Sequence, residues 1–101
     1  MNIKFIYLQN IYFWRAEVGR LALFRGGIDF QDIRISLEEF ENVKITGLLK
    51  NMNIPFHQLP CLVVDNTSIA QTAGISRFCG KLSGLYPKNN DLLSAQIDQF
   101  L

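Results

Sequence analysis

Residues 3–8, IKFIYL, form a short apolar run rich in β-branched and aromatic side chains, closed by the polar pair Gln9–Asn10. That pattern predicts a buried strand. Residues 15–27, RAEVGRLALFRGG, place Ala16, Leu21 and Phe24 at helical spacing with Glu17, Arg20 and Arg25 on other faces, and Gly26–Gly27 supplies a C-terminal stop. Apolar and polar positions alternate at the start of IDFQDIRI, residues 28–35, as a second strand would. Strand, helix and strand over about 30 residues make a βαβ unit with parallel strands and a right-handed crossover.

Residues 36–55 mix helix formers with Gly47 and β-branched residues, and one or two short helices within a long connection are expected. CLVV, residues 61–64, reads as a strand, Asp65–Asn66 as a hairpin turn, and a short strand ends near Ile69–Ala70. A helix is predicted from Thr72 to about Leu82, followed by the linker-like SGLYPKNND. DLLSAQIDQFL opens a further helix with Asn90 or Asp91 as its cap. Leu92, Ile97, Phe100 and Leu101 give that helix an apolar side, and so short a helix needs something to pack on. The order βαβ, helical connection, ββα predicts an α/β chain with a four-stranded mixed sheet, the thioredoxin-like arrangement. The expected division is a domain over residues 1–84, with 85–101 as a linker and the start of another helix.

Composition narrows the function. In a chain of 101 residues, 49% hydrophobic and 19% charged content marks one folded globular unit. A net charge of +1 provides no long-range field for nucleic acid or an anionic membrane. The N-terminus lacks the pattern of a signal peptide, and no apolar run reaches the roughly 18 residues of a membrane span. Cys61 and Cys79 are too far apart for a CxxC pair, and with the single His57 they form no zinc spacing. Both cysteines are expected to be packing residues in a reducing, cytoplasmic setting, with no metal.

Two features of FHQLPCLVVDNTSIAQTAGISRF stand apart. Pro60 heads a strand, tolerable because its missing donor lies outside the ladder. A cis Leu59–Pro60 bond would leave the Leu59 backbone facing outward, where an extended peptide could pair with it. Thr72, as the cap of the following helix, would leave free N–H groups and the positive dipole end for a carboxylate. The plain alternatives are a trans turn proline and an ordinary cap. Together the two features suit a small peptide-like ligand with a free carboxylate.

This stretch resembles the glutathione transferase N-terminal domain, in which Gln-Leu-Pro leads a strand and Gln-Ser opens a helix. WRAEVGRLAL resembles that family's first helix, GIDFQDIRI its second strand, and GLYPKNNDLLSAQIDQF its linker and fourth helix. The likeness covers nearly the whole chain and is nearest to tyrosine-type, sigma-like members. It implies conjugation of the glutathione thiolate to small electrophiles, with glutathione as co-substrate. By the same resemblance Tyr7 matches the tyrosine that hydrogen-bonds the glutathione sulfur, and Arg15 an arginine that steadies the charge there. A donor aimed at sulfur favours the nucleophilic thiolate over a thiol whose ordinary pKa is about 8.5. The resemblance further implies that Gln58, Leu59 and Pro60 form the peptide-pairing segment and that Gln71 and Thr72 hold the γ-glutamyl carboxylate. Phe40 and Lys44 match the tryptophan and lysine near the glycine carboxylate.

Several departures bear on these expectations. Two extra residues lengthen the loop after Tyr7 and make Tyr12 a rival hydroxyl; Thr72 stands where serine is usual; Phe40 lacks the indole donor; Gly74 replaces a common alanine; and about half a dozen residues are added around ITGLLKN. The family continues into an all-helical domain that forms most of the electrophile pocket, and this chain is expected to stop inside that domain's first helix. Residues 91–101, with Phe56 as a further candidate, are expected to pack on another polypeptide, a homodimer mate included. The alternatives are a non-catalytic interaction module within a larger assembly and a glutathione-dependent isomerase of the prostaglandin D synthase type. A disulfide oxidoreductase is disfavoured, since residues 7–10 carry no cysteine at the strand-to-helix turn.

Overall fold

A computed structural model describes residues 1–9 and 17–99. The central strand β1 (Ile3–Leu8) runs parallel to β2 (Gln31–Ile35) on one side and antiparallel to β5 (Cys61–Val64) on the other. A tight hairpin through Asp65 adds β6 (Thr67–Ala70), giving the sheet order β2-β1-β5-β6. This is the thioredoxin-like mixed sheet that the order of elements predicts. No helix among the described residues is long and apolar enough to cross a membrane.

Strand alternation sorts the core into two layers. Ile3, Phe5 and Tyr7 pack with Leu62 against helices α1 (Glu17–Arg25) and α3 (Thr72–Leu82). Ile6 and Cys61, on the opposite face, pack with Ile35, Val43 and Ile54 beneath α2 (Leu37–Thr46). Helix α2 has a complete capping box: the Glu39 N–H donates to Ser36 Oγ and the Ser36 N–H to Glu39 Oε1, each at 3.1 Å. It ends on Gly47 in the left-handed region at φ 72°, whose N–H donates to the Val43 carbonyl.

The buried face of α1 differs from the expected one. Leu21 and Phe24 are 58% and 80% exposed, whereas Gly19, Arg20, Ala22 and Leu23 are buried. The reason is close approach: a Cβ on Gly19 would stand 2.7 Å from the Phe5 ring, so only glycine lets the helix sit that near the sheet. Arg20 turns inward because it has partners there. Its Nε donates to Asp32 at 2.9 Å, and its guanidinium carbon lies 5.3 Å from the centre of the Phe5 ring. Asp32 also accepts from Arg34 Nε at 3.0 Å, so one carboxylate ties α1 to β2. Ala16 lies outside the described residues.

The second strand is shorter than the alternation in 28–35 suggested, because the Ile28 N–H closes the end of α1 by donating to the Leu23 carbonyl at 2.9 Å. Residues 36–55 hold one α-helix and then a feature the pattern hid. Two-residue strands β3 (Leu48–Leu49) and β4 (Met52–Asn53) form a small hairpin through Lys50 and Asn51, both at positive φ. A 3-10 turn at Pro55–His57 follows. The final helix, α4 (Asp91–Asp98), is capped by the Asn90 side chain, which accepts from the Leu93 N–H at 3.0 Å. Asp98 fastens α4 to the domain, accepting from Arg77 of α3 and from the Tyr86 hydroxyl. Leu92 remains 76% exposed, and Phe100 and Leu101 lie outside the described residues.

Replacing Gly19 with Ala should destabilise the chain by about 1–2 kcal/mol in urea unfolding, the overpacking cost outweighing the gain in helix propensity. Burial and the Asp98 carboxylate push the Tyr86 phenol up to about 12, with Arg77 opposing. The phenol of an unfolded chain ionises near 10, so this contribution to stability is whole below pH 10 and is lost as the pH rises toward 12. Asp98→Asn should move the phenol titration, followed by ultraviolet absorbance, back toward its ordinary value.

Candidate functional site

The ladder registers bring three expected site residues to one end of the sheet. In the β1–β5 pairing Ile6 faces Cys61, so the next step sets Tyr7 across from Pro60. In the β5–β6 pairing Cys61 faces Ala70, so the same step sets Pro60 across from Gln71. Tyr7 on β1, Pro60 directly before β5 and Gln71 directly after β6 therefore fall in line at one end of the sheet, Pro60 and Gln71 each one step past the last paired residue of its strand. Tyr7 is 5% exposed and lies on the α1/α3 face with Phe5 and Leu62. The Leu59–Pro60 bond is cis, and Pro60 is buried. Leu59 packs against both core layers, while neither its N–H nor its C=O enters a turn or ladder hydrogen bond among the described residues.

Gln71 rather than Thr72 is the N-cap of α3, which corrects the expected capping role. Its backbone stands at φ 71°, ψ 131°, its side chain makes no capping bond, and Thr72 is the first helical residue. A non-glycine residue there is strained by about 1–3 kcal/mol, a cost that surrounding structure must hold in place. The outcome is a helix N-terminus whose first N–H groups receive no capping bond from the N-cap side chain, with the dipole's positive end beside them. A hollow of about 20 Å3, room for roughly one water or carboxylate oxygen, lies at this point. Gln58, Leu59, Pro60, Ala70, Gln71 and Thr72 line it.

A larger open cleft of about 530 Å3 adjoins through Gln58, which lines both. Its other walls are Phe40, Lys44, Phe56 and His57. The Lys44 ammonium sits 4.8 Å from the centre of the Phe40 ring and 3.3 Å from Glu41, an exposed pairing that a ligand carboxylate can displace at small cost. The two hollows thus bring together Phe40, Lys44, Gln58, Leu59, Pro60, Gln71 and Thr72. Tyr7 lines neither among the described residues, and Arg15 and Tyr12 lie outside those residues. Phe56 and His57 are further wall residues, outside the set of ligand positions that the resemblance implies. The available signal was their place directly before Gln58.

Burial pushes the Cys61 and Cys79 thiols up to about 11, opposed at Cys61 by a backbone hydrogen bond from Ile69, so both stay protonated near neutrality. Among the described residues no three His, Cys, Asp or Glu side chains gather as a metal site would require.

The mixed sheet, with α1 and α3 on one face and this hollow edge at the head of β5, defines a thioredoxin-like domain. Residues 3–79 match the glutathione S-transferase N-terminal domain family. The chain is 36% identical over 88 residues to glutathione S-transferase 2 of Caenorhabditis elegans, covering 84% of this chain and 43% of that protein. The crystal structure of the glutathione S-transferase from Ascaris lumbricoides superposes with a TM-score of 0.81 at 31% identity, over 98% of this chain and 43% of that one. Prostaglandin synthase D of Nilaparvata lugens gives 0.77 at 27% identity, over 98% and 45%. The chain belongs to the family of glutathione S-transferase N-terminal domains, and it spans less than half the length of these relatives.

Gln71→Gly should leave the fold intact and raise its stability by about 1 kcal/mol in thermal unfolding, since glycine adopts the observed backbone without strain.

Proposed function

We propose that this chain supplies the glutathione-binding half of a glutathione transferase, which conjugates the glutathione thiolate to small electrophiles. The observation that carries the reading is the alignment of Tyr7, Pro60 and Gln71 at one end of the sheet, together with the two hollows that share Gln58. A bound peptide would pair through its cysteinyl backbone with Leu59 beside Pro60. Its γ-glutamyl carboxylate would meet the uncapped N–H groups at Gln71 and Thr72. Its glycine carboxylate would reach Lys44 across the Phe40 ring. Gln58, on the shared wall, would lie along the peptide's length. At the far end of β1 the Tyr7 hydroxyl would donate to sulfur, and Arg15 would steady the negative charge. The thiolate attacks an electrophilic carbon, the new carbon–sulfur bond forming as the leaving group departs or the double bond accepts the electron pair. Residues 1–84 would be the glutathione-binding unit and 85–101 the passage to a second, helical one.

The same reading makes the protein a cytoplasmic one that pairs with another polypeptide, a homodimer mate foremost. Leu92 on α4 and Phe56, 71% exposed, favour such a partner. A glutathione-dependent isomerase is the second reading, favoured by the likeness to the Nilaparvata lugens prostaglandin synthase D. A non-catalytic interaction module would keep the fold and bind no thiol peptide.

Calorimetric titration with glutathione tests the proposal, and absence of binding would leave the module reading. With binding established, Tyr7→Phe should raise the pKa of the bound thiol, seen in thiolate absorbance against pH, with little loss of affinity. Conjugation should slow by a factor equivalent to about 2.7 kcal/mol or less, the low end for one lost anion donor, because sulfur is a poorer acceptor than oxygen. If Tyr12→Phe has this effect and Tyr7→Phe does not, the role belongs to Tyr12.

A further inference from the structure

The one histidine of the chain stands in the wall of the larger cleft with no part in the chemistry above. It follows Phe56, and the two hold φ of 52° and 59°, left-handed backbone that side chains other than glycine disfavour. Such a pair persists only where its surroundings hold it. Two hydrogen bonds do so here. The His57 N–H donates to the Ile54 carbonyl at 3.0 Å, and ring Nδ1 stands 3.0 Å from the Lys44 carbonyl. A carbonyl only accepts, so Nδ1 carries the hydrogen in that contact.

The ring also lies against Gly47, where an added Cβ would stand 2.5 Å from Nε2. The imidazole therefore fills the space left open by the missing side chain at the C-cap of α2. It spans two pieces of chain. One is the last turn of the helix that presents Phe40 and Lys44; the other is the turn that runs directly into Gln58, Leu59 and Pro60.

We infer that His57 is a positioning residue for the glycine end of the glutathione site. By bracing the α2 C-terminus against the segment leading to Leu59, it sets the separation between the Lys44 ammonium and the peptide-pairing backbone. Only a ligand long enough to engage both ends depends on that separation. The inference rests on the glutathione reading proposed above.

The test uses the full 101-residue chain and two probes, glutathione and γ-glutamylcysteine, the same peptide without its glycine. His57→Gly should weaken glutathione binding roughly three- to tenfold, the value of one hydrogen bond, and leave γ-glutamylcysteine within about twofold. Its thermal midpoint should not fall, because glycine takes positive φ freely. His57→Asn, whose amide can donate in place of Nδ1–H and which tolerates left-handed backbone, should restore glutathione affinity to within about twofold. Lys44→Ala combined with His57→Gly should cost less than the sum of the two alone. Equal weakening of both peptides, no weakening, loss of the fold in His57→Gly, or no rescue by asparagine would each overturn the inference. If the unsubstituted chain binds neither peptide, the glutathione reading fails and this inference falls with it. Binding of both by that chain with any of the preceding results overturns the role of His57 alone.

Discussion

The contact of the Phe5 ring with the bare backbone of Gly19 sets where everything on the α1/α3 face can sit. Phe5 is wholly buried on the central strand, its neighbours hydrogen-bonded to β2 on one side and β5 on the other. Its ring therefore cannot retreat, and the helix above it approaches only because position 19 carries no side chain. At that distance Arg20 lies over the ring and reaches Asp32, so one aromatic side chain organises the helix, the edge strand and a buried cation together. Tyr7, two residues along the strand, inherits the same face through the period of the pleat. Which face of the sheet it occupies is a consequence of how Phe5 is packed.

The candidate site is made largely of backbone held in uncommon conformations. Gln71 stands at φ 71°, and Phe56 and His57 at 59° and 52°, within the two segments that flank the head of β5. Beside them, the Leu59 backbone enters no turn or ladder hydrogen bond among the described residues, and the Gln71 side chain makes no capping bond to α3. Strain of this kind persists because both segments are anchored in hydrophobic layers that would be lost by relaxing it. The side chains around them, Lys44 on Phe40 and the imidazole on Gly47, then set charge and spacing.

Much of this was legible in the chain before any coordinates. The run IKFIYL, the CLVV hairpin and the helix from Thr72 to Leu82 were readable because their patterns are local: β-branched runs, turn residues, helical spacing. The resemblance of the Gln-Leu-Pro stretch pointed to Gln58, Leu59, Pro60, Gln71 and Thr72 together. The β3–β4 hairpin was hidden because two-residue strands have no periodicity, and its turn, Lys50–Asn51, lacks the usual glycine. The α1 face was misjudged because Leu21 and Phe24 outweigh Gly19 and Ala22 on any hydrophobic count, while Arg20 counts as a surface residue until its carboxylate partner is known.

By itself the sequence determined the order of the four main strands and the helices, and the family to which the chain belongs, since these are written in residues near one another. Tertiary structure alone decided that Tyr7, Pro60 and Gln71 fall in line, that Gln58 joins two hollows, and that a histidine thirteen residues from Lys44 bonds its carbonyl. Those relations depend on ladder register and on the distance between packed layers. Both are set by contacts across the sheet, where a pattern read along one strand carries no information about its neighbour.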